Sequence, residues 1–318
     1  MTPMTTPPPL GYNPLFLPRE DVPPPAGVVA YAYRAEIVLA VNVALATARP
    51  LLLRGEPGSG KTTLAKDVAR QLVLPYFEEV ITSRTTARDL QWRVDHVRRL
   101  ADTHTRPDEA ADVGRYVAPG VLWMALDPDG KGKDKALRLP GVAGAYRGSV
   151  ELPFGAVVLL DEIDKADPDV PNDMLLVLDA QRFVVEETGE AVPRDRATAK
   201  PPFVFITTNG ERDLPQAFLR RCVVLDLAFP SDEGLRTIAR RHFDTKQVND
   251  ALVEEVRKRL VEMRARADDE RVRRPGVAEF IDTLRACASL GVCDPSHAVW
   301  QDVTRATLWK HPPEDKTA

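Results

Sequence analysis

Gly55-Glu56-Pro57-Gly58-Ser59-Gly60-Lys61-Thr62 is the stretch that decides the fold. It satisfies the pattern G-x-x-x-x-G-K-[ST]. Before it stands Leu51-Leu52-Leu53, an apolar run too brief for a helix and suited to a buried strand. After it, Thr63 to Val73 resumes helical periodicity. Strand, glycine-rich loop and helix make one unit. The glycines let the backbone curl so that its N–H groups face phosphate oxygens, and the helix adds its positive N-terminal end. In such a loop Lys61 reaches the β- and γ-phosphates and the Thr62 hydroxyl ligates Mg²⁺. The stretch from Gly55 through Thr63 is therefore the candidate nucleotide-binding segment.

Working outward, the same alternation recurs. Glu36 to Ala48 reads as a helix stopped by Pro50. Phe77 to Thr82, Val157 to Leu160, Phe203 to Thr207 and Val223 to Leu227 read as further strands, mostly without polar alternation, as in a parallel sheet. Asp167-Pro168 reads as an N-cap followed by proline at the first helical position, opening a helix that runs to about Ala180. Phe183 to Glu187 and Glu190 to Val192 flank Thr188-Gly189, a β-hairpin pattern. Residues 84–150 are irregular, with a basic helical piece over Leu90 to Leu100, an acidic piece near Asp108 to Asp112 and the turn DPDGKGKDK. Beyond Pro230 only helical patterns remain, among them Asn249 to Ala267 and Val277 to Leu290. The expected fold is an α/β domain with a mainly parallel sheet, followed by an all-helical domain.

The run Val157-Val158-Leu159-Leu160 ends in Asp161-Glu162, at the strand edge where open α/β sheets bind ligands. Beside a phosphate loop, Asp161 is the expected Mg²⁺ ligand and Glu162 the residue that polarises the attacking water. Thr208-Asn209 closes the next strand. By spacing alone Asn209 fits two roles equally: orienting the same water, or forming a turn before Gly210.

GEPGSGKT, VVLLDEIDKAD, ITTN and LPQAFLRRC, in that order, resemble the MoxR group of AAA+ ATPases, which shares a clade with the motor subunit of McrBC-type restriction systems. The resemblance spans roughly residues 29–310. It implies an AAA+ core over 29–229, with an insert near 88–150 and a hairpin insertion near 183–192 that line a pore or face clients. It implies a helical lid over 230–318; the proline-rich arm over 1–28 lies ahead of the stretch it covers. It implies ATP and Mg²⁺ as ligands, and matches Asn209 to the sensor-1 residue. Arg221, with Arg220 beside it, matches the arginine finger that enters a neighbour's ATP site, so a homo-oligomeric ring, usually a hexamer, is implied. The chain departs from the pattern at the lid. In Arg273-Arg274-Pro275-Gly276-Val277-Ala278-Glu279, Ala278 stands where a basic sensor-2 residue is expected, which leaves Arg274 or Arg273 as substitutes and solvated charges as the alternative. The function implied is ATP-driven remodelling or activation of a protein partner, typically one with a von Willebrand factor A domain. The alternatives are a nucleic-acid-linked motor like McrB and a slow nucleotide-gated switch in a conflict or signalling system.

Composition narrows these choices. With 43 Lys+Arg against 47 Asp+Glu the net charge is −4, which speaks against a strongly basic nucleic-acid binder. The basic piece over Arg93 to Arg99 fits a solvated helix face, or contact with an acidic client or nucleic acid. No apolar run reaches the roughly 20 residues of a membrane span, and the N-terminus lacks a signal-peptide pattern. Cys222, Cys287 and Cys293 form no CxxC and read as reduced thiols, so a cytoplasmic protein is expected. The five histidines show no metal-ligand spacing. Pro7-Pro8-Pro9 and Pro23-Pro24-Pro25 make the first 27 or so residues an extended arm, docked or loose. Tyr31 and Tyr33 fit adenine packing or a core or interface role, and Trp123 reads as core of the insert.

Overall fold

The apolar runs become five strands of one parallel sheet in the computed structural model: β1 (Leu51–Arg54), β2 (Tyr76–Val80), β3 (Ala156–Asp161), β4 (Pro202–Thr208) and β5 (Val223–Asp226). Their spatial order is β2-β3-β4-β1-β5. The structure describes residues 12–19, 31–138, 144–148, 151–195, 197, 199–244, 248–270, 273–292 and 294–308. The chain divides into two compact units: one from residues 1–22, 33–54 and 65–225, the other from 23–32, 55–64 and 226–318.

In the first unit the sheet is buried on both faces. Val157 to Leu160, Phe205, Ile206 and Leu51 to Leu53 have no exposed surface. That explains their unbroken apolar character, since helices cover both sides of a parallel sheet. Each such Leu or Phe contributes roughly 1.5–3 kcal/mol by leaving water. The parallel register sets Leu53 beside Thr207 and Leu159 beside Phe205, so Arg54, Asp161 and Thr208 finish at one edge. Helix Ala35–Thr47 carries Asn42, whose buried carboxamide accepts from the Phe16 N–H and donates to the Phe16 carbonyl, both at 2.8 Å. Phe16 is fully buried and forms an antiparallel bridge with Tyr146. Residues 12–19 are thus docked on this unit; residues 1–11 and 20–28 of the expected arm lie outside the described residues. Tyr33 is tilted against the Phe16 ring at 5.8 Å.

Two expectations need correction here. The basic piece over 90–100 is not one helix. Helix Ala87–Gln91 stops at a strand, Trp92–Val94, which pairs antiparallel with Val117–Pro119, and helix His96–Thr105 then begins. Trp92 is drawn into an apolar cluster with Trp123, Phe183, Val185 and Val192, and Asp95 restarts the helix by accepting from the Arg98 N–H at 2.9 Å. Asp167-Pro168 does not open the next helix. Helix Val170–Ala180 follows Asp169 and carries Pro171 in its first turn, while Asp167 bonds the Asp169 N–H in the turn ahead of it. The hairpin is present over Phe183–Val184 and Ala191–Val192, with Gly189 at φ +69° supplying the left-handed turn residue.

Beyond residue 230, the elements among the described residues of the second unit are all helices. Helices Asp232–His242, Asp250–Glu270, Val277–Leu290 and Trp300–Leu308 enclose Leu235, Val256, Leu260, Phe280, Leu284 and Trp300. Ser231 caps the first by accepting from the Gly234 N–H, and Gly291, at φ +69°, ends the third. Among the described residues no helix is long and apolar enough to cross a membrane.

Candidate functional site

The acidic pair and its partners lie in the first unit, at the carboxyl edge of β3 and β4. Asp161 is the last residue of β3, and Glu162 follows in a left-handed conformation at φ 62°, ψ 48°. A non-glycine residue there stores roughly 1–3 kcal/mol of strain, which its surroundings must hold. They do so from three sides. The Glu162 N–H donates to Thr207 Oγ1 at 2.8 Å, and the Thr207 hydroxyl donates in turn to Asp161 Oδ1. The Asn209 amide donates to Glu162 Oε1 at 3.0 Å, and Lys165 Nζ donates to Oε2 at 2.6 Å. Glu162 holds the Lys165 ammonium above its usual range by accepting that bond. Buried Asp164 accepts from the Glu211 N–H at 2.9 Å and ties the turn after β4 to the turn after β3.

The predicted residues Asp161, Glu162 and Asn209 are therefore brought together. Arg220 and Arg221 stand outside this cluster, on the exposed turn between helix Gln216–Leu219 and β5. Arg221 is 47% exposed and pairs with Asp179 at 3.8 Å; the Arg220 carbonyl accepts from Arg49. Cys222, next in the chain, is a buried free thiol, and burial pushes its pKa up to about 12. Cys287 is buried as well, and Cys293 lies outside the described residues.

The phosphate-loop motif lies in the second unit. Gly58 and Gly60 adopt φ +79° and +91°, which L side chains rarely reach. A Cβ on Gly55 would stand 2.9 Å from the Leu227 carbonyl oxygen, one on Gly60 3.2 Å from the Tyr31 ring, and one on Gly58 3.3 Å from Ala278 Cβ. Lys61 is buried and donates to the carbonyls of Gly55 at 2.7 Å and Glu56 at 3.1 Å. Ser59 Oγ is buried without a hydrogen-bond partner. Thr62 and Thr63 sit in the first turn of helix Lys61–Leu72. A curled loop at a helix start, a buried ammonium and an unsatisfied hydroxyl together fit a bound polyphosphate.

Ala278 Cβ lies 3.3 Å from where a Cβ on Gly58 would stand, and its methyl side chain brings no charge to the loop. The neighbouring arginines go elsewhere. Arg273 pairs with Glu279 at 3.3 Å, and Arg274 pairs with Asp268 and, at 3.2 Å, with Glu56. Arg264 reaches Glu56 at 3.0 Å. Sequence reasoning missed Arg264, Lys165 and Thr207. Lys165 was findable, since it follows Glu162 by three residues; Arg264 carries no local signal, because its partner is 208 residues away. Among the described residues no group of three or more His, Cys, Asp or Glu could form a metal cage. Mg²⁺ in nucleotide sites is commonly held by one or two protein oxygens plus phosphates, so the lack of such a cage does not speak against it.

Comparison with known proteins decides the family. Residues 50–222 match the AAA domain (dynein-related subfamily). The chain belongs to this family. Its core is the α/β P-loop fold of AAA domains, followed by C-terminal helices. A curated relative, midasin of Giardia intestinalis, is 25% identical over 206 residues; the match takes in 62% of this chain and 3% of midasin. Among solved structures, the Thermotoga maritima RuvB Holliday junction branch migration motor matches at 18% identity and a TM-score of 0.42, over 86% of this chain and 66% of RuvB. A crystal structure of a Cytophaga hutchinsonii protein matches at 15% identity and a TM-score of 0.42, over 88% of this chain and 82% of that one.

Proposed function

We propose that this AAA protein hydrolyses ATP with Mg²⁺, as a MoxR-type ring that remodels or activates a protein partner. The observation that carries the reading is the pinning of Glu162, with Asn209 on one carboxylate oxygen and the Thr207 hydroxyl joining its backbone to Asp161. Lys61 and the N–H groups of the loop would hold the phosphates, and Thr62 and Asp161 the metal. Bound Mg²⁺ supplies neutralisation of charge developing on the phosphoryl oxygens. Glu162 takes the proton of a water that Asn209 helps to orient. Arg221, or Arg220 beside it, acts on a neighbouring subunit's nucleotide. The proposed working division is a core over 29–229 and a lid over 230–318.

Phosphate release by the wild-type chain, and its loss in Glu162→Gln and Lys61→Ala, tests the enzymatic reading. Equal release by wild type and Glu162→Gln would remove it. The ring has its own test. Mixing Lys61→Ala with Arg221→Ala chains restores activity only if the finger acts between subunits. A partner with a von Willebrand factor A domain is expected to co-elute with the chain or to change its turnover. Stimulation by DNA or RNA instead would favour the McrB-like alternative.

A further inference from the structure

Glu56 is an awkward residue for its place. It puts a carboxylate inside a loop built to receive a polyphosphate, where like charge repels. The second unit answers it with two arginines. Arg264, on helix Asp250–Glu270, donates through Nη1 to Glu56 Oε2 at 3.0 Å, and Arg274 donates through Nη1 to Oε1 at 3.2 Å.

The two are not equivalent. Arg264 is only 13% exposed. It is fixed independently of Glu56, by donation to the Pro275 carbonyl at 2.7 Å and by stacking over Phe229 at 3.7 Å from the ring centroid. A shielded, pre-placed guanidinium keeps its electrostatic effect, whereas an exposed one is screened. Arg274 is 46% exposed and shared with Asp268. The loop also touches the start of helix Val277–Leu290: a Cβ on Gly276 would lie 2.9 Å from the Pro57 carbonyl oxygen, and Ala278 Cβ lies over Gly58.

We propose that Arg264 is a positioning residue for the nucleotide: it neutralises Glu56 and fixes the loop against the C-terminal helices, taking over the affinity-setting part that Ala278 cannot play. Arg264 acts through Glu56, with Arg274 as the minor partner. The inference rests on the reading of Gly55–Thr62 as the nucleotide loop.

Isothermal titration of the full chain with Mg·ADP tests both levels separately. Arg264→Gln is expected to weaken binding more than tenfold, and Arg274→Gln less than threefold. In a Glu56→Gln background, removing Arg264 is expected to cost less than threefold, because the charge it neutralises is gone. Arg264→Lys, which keeps charge and bulk, is expected to stay within threefold of wild type, and it decides the matter if Arg264→Gln does not fold. Unchanged binding in Arg264→Gln overturns the inference. So does an equal loss with and without Glu56, or a tenfold loss in Arg264→Lys. Failure of the wild-type chain to bind Mg·ADP overturns the nucleotide-loop reading itself.

Discussion

Lys165 Nζ lies 2.6 Å from Glu162 Oε2, while the Asn209 amide occupies Oε1 at 3.0 Å. Both oxygens of the proposed base are thus engaged, and the partner on Oε2 is a cation that takes one of that oxygen's two lone-pair positions. Lys165 is 40% exposed, so the restraint is modest. Lys165→Met is expected to raise basal phosphate release about two- to fivefold, the span such exposed pairs allow. A several-fold fall would show that Lys165 positions Glu162 instead of restraining it.

Asn209→Ala and Thr207→Val separate the supports of Glu162. Asn209→Ala removes the group that orients the water; turnover is expected to fall about 10- to 100-fold, with nucleotide affinity changed less than threefold. Thr207→Val takes the hydroxyl from both Asp161 and the Glu162 N–H. It is expected to cost about 1–3 kcal/mol of stability, by leaving that buried network incomplete, and to weaken Mg²⁺ dependence. Urea melts and Mg²⁺ titrations of turnover read the two effects.

Two glycines near the C-terminal helices should respond differently to alanine. Gly276→Ala drives a Cβ to 2.9 Å from the Pro57 carbonyl, so the phosphate loop must shift. It is expected to weaken Mg·ADP binding at least fivefold and to cost roughly 1–3 kcal/mol. Gly291→Ala meets nothing within 4 Å and pays only for its left-handed φ of +69°, roughly 1 kcal/mol, with affinity intact. Melting and titration of both variants provide the comparison.

Burial pulls the pKa of His242 down to about 4, with Arg285 adding to the effect. The sign follows from a base whose folded pKa lies below its unfolded value of about 6.5. The stability from its neutral form is complete above pH 6.5 and is lost as pH falls from 6.5 towards 4. Allowing for partial exposure, the loss is about 1–2 kcal/mol. His242→Gln is expected to flatten urea-melt stability between pH 6.5 and 5. Glu254, held down to about 2 chiefly by its bond from Arg257, titrates in a different window: its contribution persists above pH 4.5 and fades towards pH 2.

The parts of this molecule legible in the sequence are those whose cause is local. Leu51 to Leu53 and Ala156 to Leu160 are apolar throughout because helices cover both faces, and the loop after Arg54 follows a fixed spacing of glycines and lysine. Gly189 marks the hairpin because the turn needs a left-handed residue. What escaped depends on distant partners. The break at Trp92–Val94 comes from pairing with Val117–Pro119 and from the Trp92 ring joining Phe183, ninety residues on in the numbering, roughly, so local helix propensity misleads there. Helix Val170–Ala180 begins late because two Asp-Pro-like starts compete within five residues, a margin that spacing does not resolve. The Arg264–Glu56 pair joins residues 208 positions apart, and nothing near either announces the other.

The Trp92–Phe183 stack, at 5.6 Å and 14°, has a use in the laboratory. Trp92 Nε1 donates to Glu187 Oε2 at 2.6 Å, so one indole is held by the hairpin through both its face and its edge. Indole emission shifts with the polarity and charge around the ring. In a variant whose other three tryptophans are replaced by phenylalanine, a change in indole emission on adding nucleotide or a partner would therefore report on this stack without any attached dye.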